Sequence, residues 1–62
     1  MPIVQIQVLE GRDKQQIARL IASVTEAVVE SLEVRPEQVR VIVSEVPPTH
    51  WGVGGVTKEK QS

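Results

Sequence analysis

Two β-rich runs separated by one long amphipathic stretch constrain this chain more than any other feature. From Lys14 to about Glu33 the apolar residues Ile17, Leu20, Ile21, Val24, Val28 and Leu32 recur at helical spacing, describing one continuous stripe. Lys14, Arg19, Ser23, Glu26 and Glu30 fall away from it, while Ala18, Ala22 and Val29 widen the apolar side. Asp13 reads as the helix N-cap, with Gln16 three residues later completing a capping-box-like pair. Arg35-Pro36 is expected to stop the helix, because a residue before proline avoids the helical region. Pro36-Glu37-Gln38 then reads as a single tight turn.

On the amino-terminal side, Val4, Ile6 and Val8 alternate with Gln5 and Gln7, and Ile3 and Leu9 add to the second face. This is the period of a strand. Glu10-Gly11-Arg12 breaks it with a turn residue. On the other side, Val39 to Val46 is rich in β-branched residues and forms the second strand. A crossover helix of this length makes the two strands parallel, with a right-handed connection. The expected class is therefore α/β (α+β), a β-α-β unit. After Pro47-Pro48, three of the four glycines and the only aromatic residue crowd into Thr49–Val56. That stretch reads as a loop and a short hairpin-like ribbon around Gly54-Gly55, followed by a frayed tail, Lys58–Ser62. No internal repeat or boundary interrupts the chain, so residues 1–62 are expected to form a single domain.

One helix covers one face of a two-stranded sheet, and parallel sheets are normally covered on both. Size sharpens the problem. A chain of 62 residues lies in the range where disulfides, a metal or partner chains usually supplement the core. There is no cysteine and only one histidine, which removes disulfides and makes a protein-built metal site improbable. Association with further copies is what remains. Seven basic and eight acidic residues, with no basic block and a single aromatic, argue against nucleic-acid binding. No apolar run approaches the length that crosses a bilayer, and the first residues lack a signal-peptide pattern. A cytoplasmic protein is the expectation.

The chemistry is expected at Pro2. Methionine is normally removed when proline follows it, which leaves a secondary amine at the start of a strand. Inside a chain, proline has no N–H; at a mature amino terminus its nitrogen can accept and return a proton. A reference α-amino group titrates at about 7.7–8.0, and a secondary amine starts higher. An apolar pocket and nearby cations would lower it toward neutrality, where a general base works best. Arg12, in the first turn, and Arg40, within an otherwise apolar strand, are the candidate cations; a planar guanidinium suits a carboxylate or an enolising carbonyl. For a single arginine on an exposed strand face a solubilising role is the commoner reading; Arg40 is the stronger candidate of the two, since the second strand is expected to be central in an assembled sheet. Trp51 is read as a hydrophobic wall, a gap filler between subunits, or both. His50 is expected to be exposed and without a role. The glycines of Gly52-Val53-Gly54-Gly55 precede no helix and do not form a phosphate loop.

Met1-Pro2-Ile3-Val4, Leu9-Glu10-Gly11-Arg12, Val39-Arg40-Val41 and His50-Trp51-Gly52-Val53-Gly54-Gly55 together resemble the tautomerase superfamily, most closely the short-chain 4-oxalocrotonate tautomerases. The resemblance spans nearly the whole chain. It implies dimers that share a four-stranded sheet, three of which form a homohexamer whose pockets are lined by more than one chain. It also implies an isomerase that needs no cofactor and acts on a small unsaturated 2-oxo acid such as 2-hydroxymuconate, within aromatic hydrocarbon catabolism. Pro2 corresponds to the family's catalytic proline, Arg12 and Arg40 to its two pocket arginines, and Trp51 to its pocket aromatic. Pro2 and Arg40 are thus the expected catalytic pair, and Arg12, Arg40 and Trp51 the expected substrate-binding set. The family's usual aromatic is phenylalanine, so the larger Trp51 bears on substrate size. A non-catalytic oligomeric binding module of the same fold, or a decarboxylating relative, remains an alternative on the residues alone.

Overall fold

The computed structural model describes residues 1–60 of the chain. Strand β1 (Ile3–Leu9) leads through a turn into helix α1 (Lys14–Leu32), and a 3-10 turn, Pro36–Gln38, leads into β2 (Arg40–Val46). A second 3-10 turn, Pro48–His50, precedes the two-residue strands β3 (Gly52–Val53) and β4 (Val56–Thr57) and a last turn, Lys58–Lys60. As the crossover length requires, β1 and β2 are parallel, in a register that runs from Ile3 opposite Arg40 to Leu9 opposite Val46. Backbone bonds extend this ladder at both ends. The Arg40 amide donates to the Pro2 carbonyl at 3.0 Å and the Glu10 amide to the Val46 carbonyl at 3.0 Å.

Helix α1 begins where the sequence places its cap: the Gln16 amide donates to Asp13 Oδ1 at 2.8 Å. Its end differs from the expectation. The last helical residue is Leu32, and Glu33 turns into the left-handed region at φ 55° and ψ 48°, with the Val34 amide reaching back to the Val29 carbonyl. The helix has therefore already closed before the constraint of Pro36 is felt. Along the stripe Ile17, Leu20, Ile21, Val24 and Val28 are half-buried, joined by Thr25 and Val29. Thr25 tolerates that position because its hydroxyl donates to the Ile21 carbonyl at 2.7 Å. Leu32 departs from the stripe and is 58% exposed. A helix of 19 residues runs about 28 Å, against about 23 Å for seven-residue strands, so its last turn overhangs the sheet.

The ribbon is a true hairpin, with β3 antiparallel to β4 and Gly52 opposite Thr57. Gly54 and Gly55 both carry positive φ, 62° and 84°, the conformation that a two-residue turn between twisted strands requires. The expected fraying is corrected over its described part. Lys58–Lys60 forms a turn against Pro48–His50, and the Lys58 amide donates to the Trp51 carbonyl at 2.7 Å. Gln61 and Ser62 lie outside the described residues.

Taken singly, the chain has almost no interior. Among the described residues only Val39, at 8% exposure, is a buried hydrophobic, and no large side chain is fully enclosed. Val4, Ile6 and Val8 face the helix half-buried, whereas Ile3 and Ile42 on the opposite face of the sheet are 61% and 50% exposed. The accessible surface is 4926 Å², against about 4,000 Å² expected for a folded monomer of this mass. The excess is comparable to the roughly 800 Å² that one partner contributes to an ordinary protein interface. The radius of gyration, 14.6 Å, likewise exceeds the about 11 Å of a compact chain this long. Elongation and a bare sheet face are the physical signature of a subunit.

Candidate active site

Pro2 is half-buried and follows a Met1 that is 79% exposed. The bond from the Arg40 amide to its carbonyl ties Pro2 to the sheet, one residue ahead of the first ladder pair, Ile3 with Arg40. The same pairing brings Arg40 to that end of the sheet, opposite Ile3. Strand alternation puts Arg40 on the face that also carries Ile42, away from the helix.

The Arg40 guanidinium does not swing free. Nη1 donates to the Glu37 carbonyl at 2.8 Å and lies 3.4 Å from the Val39 carbonyl. These acceptors belong to, or directly follow, the Pro36–Gln38 turn. Two of the bonds that close that turn join Arg35 and Gln38: the Gln38 amide donates to the Arg35 carbonyl at 2.9 Å, and the Arg35 amide donates to Gln38 Oε1 at 2.9 Å. The support for Arg40 was not anticipated from the sequence. Its signal was present, since a glutamine three residues after Arg35, the residue that precedes the turn, has the reciprocal-cap spacing.

Arg12 sits at the opposite end. It follows Gly11, whose φ of 123° turns the chain from β1 toward the helix. Arg12 lines one end of an open groove of about 490 Å³ between β1 and α1, floored by Ile6, Val8, Ile17 and Leu20. Trp51 follows Val46 by five residues, past the strand end marked by Leu9 and Val46. It is half-buried and its carbonyl is held by the Lys58 amide. His50 is exposed, as expected, with Nδ1 at 3.2 Å from the Thr49 hydroxyl.

The four candidate residues thus divide into two pairs within one chain. Pro2 and Arg40 share the end at which the strands begin, while Arg12 and Trp51 lie beyond the end at which they finish. Seven residues of strand separate the ends by roughly 20 Å, too far for one small acid to touch both. A pocket containing all four must draw on more than one copy. Among the described residues no group of three His, Asp or Glu side chains could hold a metal ion, and no helix is long and apolar enough to cross a membrane.

Fold and site together describe a β-α-β unit with Pro2 bonded to the start of its sheet and arginines at both ends. The family model described as "Tautomerase enzyme" matches residues 2–61. The chain belongs to the tautomerase family and is an isomerase of that family. It is 50% identical over 58 residues to a probable tautomerase of Ralstonia nicotianae, covering 94% of this chain and 83% of that one. It is 47% identical over 60 residues to the 2-hydroxymuconate tautomerase of Pseudomonas putida, covering 97% and 95%. Among solved structures, a heterohexamer 4-oxalocrotonate tautomerase from Chloroflexus aurantiacus superposes with a TM-score of 0.93 at 39% identity, covering the whole of both chains.

Proposed function

We propose that this isomerase moves a double bond in a small unsaturated 2-oxo dicarboxylic acid such as 2-hydroxymuconate, with Pro2 as the proton carrier. After removal of Met1, the Pro2 nitrogen takes the proton from the dienol hydroxyl and returns it to carbon further along the conjugated system. Arg40 binds the oxygen end, where negative charge grows during transfer and a fixed cation stabilises most. Arg12 of another copy holds the remote carboxylate and aligns the acid with the amine. Trp51 keeps water from the amine. A homohexamer built as a trimer of dimers supplies the copies, and a cytoplasmic role in aromatic hydrocarbon breakdown completes the proposal.

The observation that carries this reading is the bond from the Arg40 amide to the Pro2 carbonyl. A proline that merely followed the start codon would ride on a loose tail, whereas this one is bonded to the sheet through its carbonyl. The name of the P. putida relative supports the choice of substrate. The test mixes the protein with 2-hydroxymuconate and follows the conjugated ketone by ultraviolet absorbance, alongside the intact mass. Protein lacking Met1 should turn the dienol over, and Pro2→Ala should lose more than about tenfold in rate. An unchanged rate in Pro2→Ala would rule out the amine mechanism.

A further inference from the structure

We infer that Gln38 is a positioning residue for the reaction, acting through Arg40 without touching the substrate; the inference rests on the role proposed above for Arg40. A free arginine side chain loses appreciable rotamer entropy when it binds an anion. Here part of that ordering is already present. One edge of the guanidinium is committed to the Glu37 carbonyl at 2.8 Å, which leaves its remaining N–H groups to receive a growing negative charge. The Glu37 carbonyl in turn keeps its direction only while the turn is closed.

Three contacts close it. The Val39 amide donates to the Pro36 carbonyl at 3.1 Å, the Gln38 amide to the Arg35 carbonyl, and the Arg35 amide to the Gln38 side chain. The first two are backbone bonds that any sequence could make. The third depends on the residue at position 38, which must place an acceptor over the Arg35 N–H. The turn packs against α1, Val39 next to it is buried, and Gln38 itself is half-buried. Gln38 therefore completes a relay from Arg35 N–H through the turn and the Glu37 carbonyl to the Arg40 guanidinium.

The test compares Gln38→Met, which keeps the length of the side chain without its oxygen, with Gln38→Glu, which keeps an acceptor. Gln38→Ala provides a second acceptor-free variant, and circular dichroism with native mass spectrometry confirms that each is folded and assembled. Rotation of the Arg40 guanidinium is read by nitrogen-15 NMR, which needs no substrate, and turnover of 2-hydroxymuconate is read in parallel. In Gln38→Met the Arg40 rotation should quicken and kcat should fall by roughly three- to tenfold, with KM changing less than about twofold. Gln38→Glu should restore both. In an Arg40→Ala background, Gln38→Met should cost nothing further, because its route to the chemistry is gone. Unaltered Arg40 rotation in both acceptor-free variants would overturn the inference, as would a kcat that does not fall or a loss that persists without Arg40. Failure of the wild-type protein to turn over the dienol would instead count against the proposed substrate, and the NMR comparison would still decide the relay.

Discussion

Pro2, Arg40 and Trp51 each combine a side-chain chemistry with a backbone bond that limits where it can go. The Pro2 carbonyl is claimed by Arg40 and the Trp51 carbonyl by Lys58, so neither ring is carried on a loose segment. Trp51 offers the more discriminating substitution. If its function is to exclude water, an aromatic of any kind should serve, and a methyl group should not. Trp51→Phe is expected to keep kcat/KM within about threefold of the parent, while Trp51→Ala falls by about tenfold or more, a barrier change near 1.4 kcal/mol. Steady-state kinetics on 2-hydroxymuconate measure both. A comparable collapse in the phenylalanine variant would mean that the indole contributes more than a dry wall.

Helix α1 shows how the connecting elements bear on the site without entering it. Its start positions Arg12, and Asp13 holds that start by accepting the Gln16 amide at 2.8 Å. Removing such a cap typically costs about 1 kcal/mol. Asp13→Ala should therefore lower the urea midpoint measurably while leaving the m-value unchanged. At the other end, Glu33 adopts a left-handed backbone, φ 55°, which costs a residue with a β-carbon roughly 1–2 kcal/mol. Glycine is at ease there. Glu33→Gly is expected to stabilise the assembly by up to about 1 kcal/mol once the extra chain entropy of glycine is subtracted. A fall in the midpoint would show that the Glu33 side chain makes a contact worth more than the strain it bears.

In the proposed mechanism the complete pocket belongs to the assembly. A single chain keeps Pro2 and Arg12 at opposite ends of β1, and its accessible surface is too large for its mass. Isolated subunits should therefore be inactive, and activity should vanish on dilution below the assembly constant. A sharper check mixes Pro2→Ala and Arg12→Ala subunits, unfolded together and refolded. Sites that combine Pro2 of one copy with Arg12 of another will then include some with both native residues. The mixture is expected to recover activity that neither parent has, read by the same ultraviolet assay. No recovery would mean that both residues of a site come from one chain, against the geometry of the strand. On the bare sheet face, Ile42→Glu is expected to shift native mass toward smaller species, because burying a carboxylate without a partner is costly.

Much of this was legible in the chain itself. Periodicity two, then a helical stripe, then β-branched residues left one connection possible, and the length of the crossover made the strands parallel. Asp13 and Gly54-Gly55 are local signals, each governed by a few neighbouring dihedrals, and the elements follow them closely. Glu33 escaped that reading because a left-handed glutamate has no local signature. The overhang of Leu32 came from a mismatch between helix and strand lengths, and the ordered Lys58 turn from packing against Pro48–His50. Local bonding preferences settle which elements form, since they act over three or four residues. Which residues meet is another matter: that Arg40 clasps Pro2 but lies a strand's length from Arg12 depends on register and layer packing, contacts between residues far apart in sequence that exist only once the chain has folded.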